Sequence, residues 1–115
     1  MIDDETKYSF EQVVEYCHEC RIEFVNRKKT RDFLYESGKT VDNLINEIRT
    51  LRVEHKSDEI ELDYDSNHRG YVYQFKKLAF NMYWCYIKIK IKRDKNRVVV
   101  VLSFHKEEGV QYEQK

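Results

Sequence analysis

The chain has no proline, three glycines and three cysteines among its 115 residues, and its 21 basic side chains are offset by 21 acidic ones. Each shortage excludes something. So little Gly and Pro rules out collagen-like chains, Gly/Ser linkers and mucin-like stalks. Three cysteines, an odd number, are too few for a disulfide-dense secreted scaffold, and they point to a reducing, cytoplasmic setting. No run approaches the ~18 apolar residues of a membrane span. The acidic opening Met1-Ile2-Asp3-Asp4-Glu5 does not read as a secretory signal. Three scattered glycines make neither a G-x-G-x-x-G nor a Walker loop. The histidines at 18, 55, 68 and 105 form no H-x-x-x-H pair. Cys17 and Cys20 form a C-x-x-C, but no second pair stands at zinc-ligand spacing. Arg21 follows Cys20 where a haem attachment motif needs His. The expectation is no metal and no cofactor, with both cysteines as small side chains on a helix. The acidic run Asp58–Asp65 lacks the glycine of a calcium loop and reads as solvated.

What is present can fold. Nine Tyr, six Phe and several Val/Ile runs supply a core, which argues against disorder. The length suits a single domain, 1–115, with flexible ends near 1–7 and 108–115. The balanced charge hides a polarity. Residues 1–69 carry 11 Lys/Arg against 17 Asp/Glu, whereas residues 70–106 carry nine Lys/Arg against Asp94 alone. A basic segment of that kind attracts a phosphate backbone, and an acidic protein equally well.

The pattern predicts helices first and strands afterwards. Ser9 and Gln12 form a capping box ahead of a helix over 9–20, striped by Phe10, Val13, Val14 and Cys17. Residues 22–25 read as a short extended piece. Asn26 is placed to cap a second helix, with Phe33 and Leu34 buried and Gly38 just past its end. Thr40 caps a third, where Val41, Leu44, Ile45, Ile48 and Leu51 share a face. Residues 53–69 are polar, with room for a short strand near 59–63, and Ser66–Gly70 signals a loop. Strands follow over 71–78, 82–92 and 97–105, the last two joined by a turn at Arg93–Asn96. Cys85, Ile87, Ile89 and Ile91 alternate with Trp84, Tyr86, Lys88, Lys90 and Lys92. Strict alternation then puts Val98, Val100, Leu102 and Phe104 on the core face, and Val99, Val101, Ser103 and His105 opposite. The fold class is α+β, with N-terminal helices on one face of a mainly antiparallel C-terminal sheet.

The second face of that sheet gathers Tyr86, Lys88, Lys90, Ser103 and His105. The preceding strand adds either Gln74 and Lys76 or the opposite set Tyr73, Phe75 and Lys77; alternation does not decide which. Tyr, Lys and His on one surface suit RNA cleavage by the adjacent 2′-hydroxyl. The protein must only move protons and neutralise charge. Lys76, Lys77, Lys88, Lys90 and Arg97 are the candidate backbone contacts. Taken singly, each of these residues reads first as an ordinary surface group, packing or edge protection, and only their shared face speaks for chemistry.

The same stretches resemble the MqsR family of type II toxin–antitoxin toxins, over roughly Ser9 to Lys106. Tyr86–Ile91 is similar to that family's Tyr-hydrophobic-Lys strand, Val99–His105 to its closing Val-rich strand, and Val72–Lys77 to the strand before them. The resemblance implies a RelE-like fold. It implies cleavage of single-stranded mRNA without ribosome or metal, growth arrest, and a cognate antitoxin as partner. It assigns Lys56 to phosphate contact or base, Gln74 to holding the scissile region, Tyr86 to binding or polarising the substrate, and His105 to acid–base chemistry. Lys77 or Lys88 can take the place of Lys56. Two other readings compete: a non-enzymatic RNA- or protein-binding module on the same scaffold, and a structural subunit that pairs through a strand edge.

Overall fold

The computed structural model describes residues 6–63 and 70–107. The elements are α1 (Phe10–Glu19), β1 (Arg21–Phe24), α2 (Lys28–Ser37), α3 (Val41–Arg49), a 3-10 turn (Val53–His55), β2 (Glu61–Asp63), β3 (Gly70–Ala79), β4 (Tyr83–Asp94) and β5 (Asn96–Lys106). The strands lie in the order β1-β5-β4-β3-β2. Only the β1–β5 pair is parallel. The fold is therefore α+β with a mixed, mainly antiparallel sheet. Most of the Ser66–Gly70 loop and the expected flexible ends, apart from Thr6 and Lys7, lie outside the described residues.

Local chemistry explains the helix ends. Ser9 and Gln12 exchange side chain-to-backbone hydrogen bonds at the start of α1, and Thr40 and Asn43 do the same for α3. Gly38 ends α2 at φ 73°, where a Cβ is disfavoured, and donates its N–H to the Leu34 carbonyl. The cap of α2 differs from expectation. Arg27 occupies it with no side-chain hydrogen bond, while the Asn26 side chain accepts from the Arg31 guanidinium at 2.6 Å. Arg49 donates to the Cys17 and Cys20 carbonyls, closing the carboxyl end of α1.

Val13, Val14, Cys17, Phe33, Leu44, Ile48 and Leu51 bury against Tyr73, Phe75, Cys85, Ile87 and Ile89. The stripe on α3 is one residue shorter than its spacing predicts, because Val41 opens the helix and stays 42% exposed. Tyr73, Phe75 and Lys77 take the helical face, which resolves the facing of β3. Lys77 is buried there. Its Nζ donates to the Glu47 carbonyl at 2.7 Å and pairs with the Glu47 carboxylate at 3.1 Å, at the end of α3. A cation at a helix carboxyl end is electrostatically favoured.

The facing of β5 is corrected. Lys88 pairs with Ser103, but Ile89 pairs with Val101, so Leu102 is an extra residue in a β-bulge. The bulge sets Val99 and Val101 opposite Ile91 and Ile89 on the core face, both fully buried, and leaves Val98 and Val100 on the other. Phe104, Ser103 and His105, beyond the bulge, face as alternation predicts. The hairpin is also tighter than expected, with Asp94 paired to Asn96 around Lys95.

Burial of the thiols has a pH consequence. Burial pushes Cys17 from 9.0 up to about 12. Cys85 is pushed to about 12 for the same reason. An unfolded chain ionises these thiols above pH 9, whereas the folded one holds their protons. Their contribution to stability is therefore complete below pH 9 and lost as pH rises toward 12. Urea unfolding between pH 8 and pH 11 is expected to show falling stability, with a shallower fall in Cys17→Ala than in the parent. Equal slopes would contradict the buried placement.

Candidate active site

On the sheet face away from the helices, side chains of β3, β4 and β5 line up in rows. Lys76, Tyr86 and His105 are direct neighbours across three strands, and Gln74, Lys88 and Ser103 form the next row. Directly opposed Cβ atoms sit about 5 Å apart and rows about 6.8 Å apart. Beyond the His105 end of the sheet, the Glu107 N–H binds the Trp84 carbonyl at 2.8 Å. The amino end of α2 borders this surface. β1 stops pairing after Phe24, and Thr30 of α2 takes over the β5 edge, its Oγ1 accepting from the Phe104 N–H.

The result is a cleft of about 620 Å³ lined by Arg27, Lys28, Lys29, Asp58, Lys76, Tyr86, Lys88, Ser103, His105 and Glu107. Five cations face two carboxylates. A smaller recess adjoins it, sharing Arg27 and Lys88 and walled by Glu61 and Asp63. Lys76 is paired with Glu107, and Lys28 with Asp32. Basic residues 27–29 surround the positive pole of α2, and its first turn contains no acid. That placement works against the helix dipole. A local penalty of this kind is expected where an anion is to be received.

The proton-handling groups are set by their neighbours. His105 Nδ1 lies 2.7 Å from the Lys106 carbonyl, which can only accept, so Nδ1 carries a proton. In the neutral ring, Nε2 is then the free base. The Tyr86 ring stands 6.1 Å from the His105 ring, and its hydroxyl donates to Asp58 at 3.5 Å. Burial, reinforced by the Asp58 carboxylate, raises the Tyr86 phenol above its ordinary 10, so it stays protonated at neutral pH.

Of the residues chosen from sequence, Lys76, Lys88, Tyr86 and His105 meet in this cleft. Gln74 lies beside Lys88 but is only 4% exposed. Its Nε2 donates to Glu61, and its Oε1 has no hydrogen-bond partner among the described residues. Such an orphaned acceptor is uncommon in a folded interior. Four residues are not brought to the cleft. Lys56 pairs with Phe75, so it belongs to the helical side, and its ammonium lies over the Phe10 ring. Lys77 is committed to α3. Lys90 is buried against Asp63 at 2.9 Å. The Arg97 guanidinium lies over Tyr8 and Tyr16 and donates to the Tyr8 hydroxyl.

Sequence reasoning missed Arg27, Lys28, Lys29 and Asp58. The first three carried a readable signal, a basic triplet opening a helix. Cys17 is buried in the core, and the exposed His18 spends its Nε2 on the Leu51 carbonyl at 2.8 Å. Among the described residues no group of three His, Cys, Asp or Glu is placed to hold a metal. No described helix is long and apolar enough to cross a membrane. Comparison of the chain with family models, with curated proteins and with solved structures found no match.

Proposed function

We propose that the chain is a metal-independent endoribonuclease that cleaves single-stranded RNA by attack of the 2′-hydroxyl on the adjacent phosphorus. The observation that carries this reading is the row Lys76–Tyr86–His105 inside a cation-rich cleft. His105 Nε2 takes the 2′-hydroxyl proton as the 2′-oxygen bonds to phosphorus. The bond from phosphorus to O5′ breaks, and the Tyr86 phenol donates its proton to the departing oxygen. Lys88, with Lys76 and the amino end of α2, offsets the charge that builds on the phosphorane oxygens. The products are a 2′,3′-cyclic phosphate and a 5′-hydroxyl, and proton exchange with water resets both side chains.

The resemblance to the MqsR toxins supports three further steps: a RelE-like scaffold, mRNA as the cellular substrate, and a cognate antitoxin that restrains a cytoplasmic toxin. The test is incubation with end-labelled single-stranded RNA in EDTA. Fragments ending in 2′,3′-cyclic phosphate are expected. Intact RNA after long incubation with folded protein, across several sequences, would reject the enzyme and favour a module that only binds.

A further inference from the structure

The row of the sheet just beyond Lys76 and Tyr86 is apolar and about half-exposed. Leu78 pairs with Trp84 across β3 and β4, on the same face as the cleft. Trp84 is 48% exposed and Leu78 42%. Met82, in the turn joining the two strands, is more exposed still. Large apolar groups exposed together mark a contact surface more often than isolated ones do. This patch continues directly from a cleft whose cations outnumber its carboxylates five to two. Its occupant therefore has to combine repeated negative charge with a flat apolar face. A single-stranded nucleic acid does so, and aromatic platforms beside basic grooves are how such strands are held without sequence readout.

We propose that Trp84, backed by Leu78, is a base-stacking subsite for the nucleotide next to the scissile phosphate. The proposal rests on the ribonuclease reading for its ligand class. The row spacing of about 6.8 Å between Tyr86 and Trp84 is a step that one extended nucleotide spans. Phosphate then lies over Lys76 and Lys88 while the neighbouring base lies on the indole. Stacking accepts every base, so this subsite lowers KM for single strands and is closed to the paired bases of a duplex. Trp84 is a specificity-determining residue and takes no part in the proton transfers.

The chain has one tryptophan, so its emission reports this subsite directly. The probe is a short 2′-O-methyl oligoribonucleotide, which cannot be cut because its 2′-oxygen carries no proton. Titration is expected to quench Trp84. Inorganic polyphosphate should compete for the cleft without quenching. Anisotropy of the labelled probe should show Trp84→Leu binding about 5- to 100-fold more weakly, with Trp84→Tyr retaining most of the affinity and both variants melting as the parent does. Probe binding with no change in emission, or equal affinity for Trp84→Leu, would overturn the subsite. So would an emission shift that follows protein concentration alone, since that assigns the patch to a second copy of the chain. These readouts need no cleavage, so they stand if the enzyme reading fails. An active enzyme whose KM is unchanged in Trp84→Leu would remove the subsite and leave the enzyme reading intact.

Discussion

His105→Ala is expected to cut single-stranded RNA about 100- to 10,000-fold more slowly than the parent, the usual contribution of a positioned general base. The loss should fall on kcat, because the imidazole acts on a proton in flight and contributes little to binding RNA. The fold should survive. His105 is half-buried, and its Nδ1 bonds only locally, to the carbonyl of the next residue, Lys106. Tyr86→Phe removes a single oxygen whose contact with Asp58 is long, 3.5 Å, so stability should barely change while kcat falls. The pH profile separates the roles. Because burial and Asp58 raise the Tyr86 phenol, the alkaline limb of the parent should lie above pH 10. That limb should vanish in Tyr86→Phe, where no acid remains to be titrated. Wild-type rates in both variants would remove these two residues from the chemistry, whatever else the cleft binds.

Much of this surface was legible because β4 is regular. Cys85, Ile87, Ile89 and Ile91 alternate with Tyr86 and Lys88, and period-two polarity identifies both faces at once. The helix ends were legible where a side chain caps them, as at Ser9, Thr40 and Gly38. They were not legible at α2, where Asn26 has the right chemistry for a cap but its carbonyl oxygen binds Arg31 instead. β3 defied assignment because Tyr73, Phe75 and Lys77 look no more apolar than Val72, Gln74 and Lys76. A buried lysine satisfied by the end of α3 is a tertiary fact with no local signature. The placement of Arg27, Lys28 and Lys29 beside Ser103 and His105 depends on where β1 ends along β5. That is long-range geometry, which no single segment encodes. Lys56 is instructive in the same way. The resemblance assigns it a role, yet its pairing with Phe75 carries it to the other side of the sheet.

A pair of substitutions in β5 should have opposite outcomes, and these depend on the bulge. Residues 98–102 read Val-Val-Val-Val-Leu, an apolar run with no polar marker of period, so its facing is invisible to pattern. Strict alternation from Phe104 points Leu102 and Val100 inward and Val101 outward. The bulge reverses this: Val101 lies opposite Ile89 and is fully buried, while Leu102 is unpaired, half-exposed, and lines the recess with Arg27 and Lys88. Val101→Asp therefore puts a carboxylate into the apolar core, beside Ile89 and Phe24. A buried unpaired charge is among the few single changes that cost about 4 kcal/mol or more, a large part of what holds a domain this size together. Leu102→Asp places the same carboxylate at a partly wetted position, in a recess where Arg27 and Lys88 stand against Glu61 and Asp63. It should fold with a melting temperature near the parent's, while repelling phosphate from the neighbouring cleft and weakening RNA binding. Circular dichroism melting of the two proteins is the measurement. A folded Val101→Asp beside an unfolded Leu102→Asp would mean that β5 runs without its bulge. Ser103 and His105 would still face Tyr86, but the residues that prop them from behind would differ.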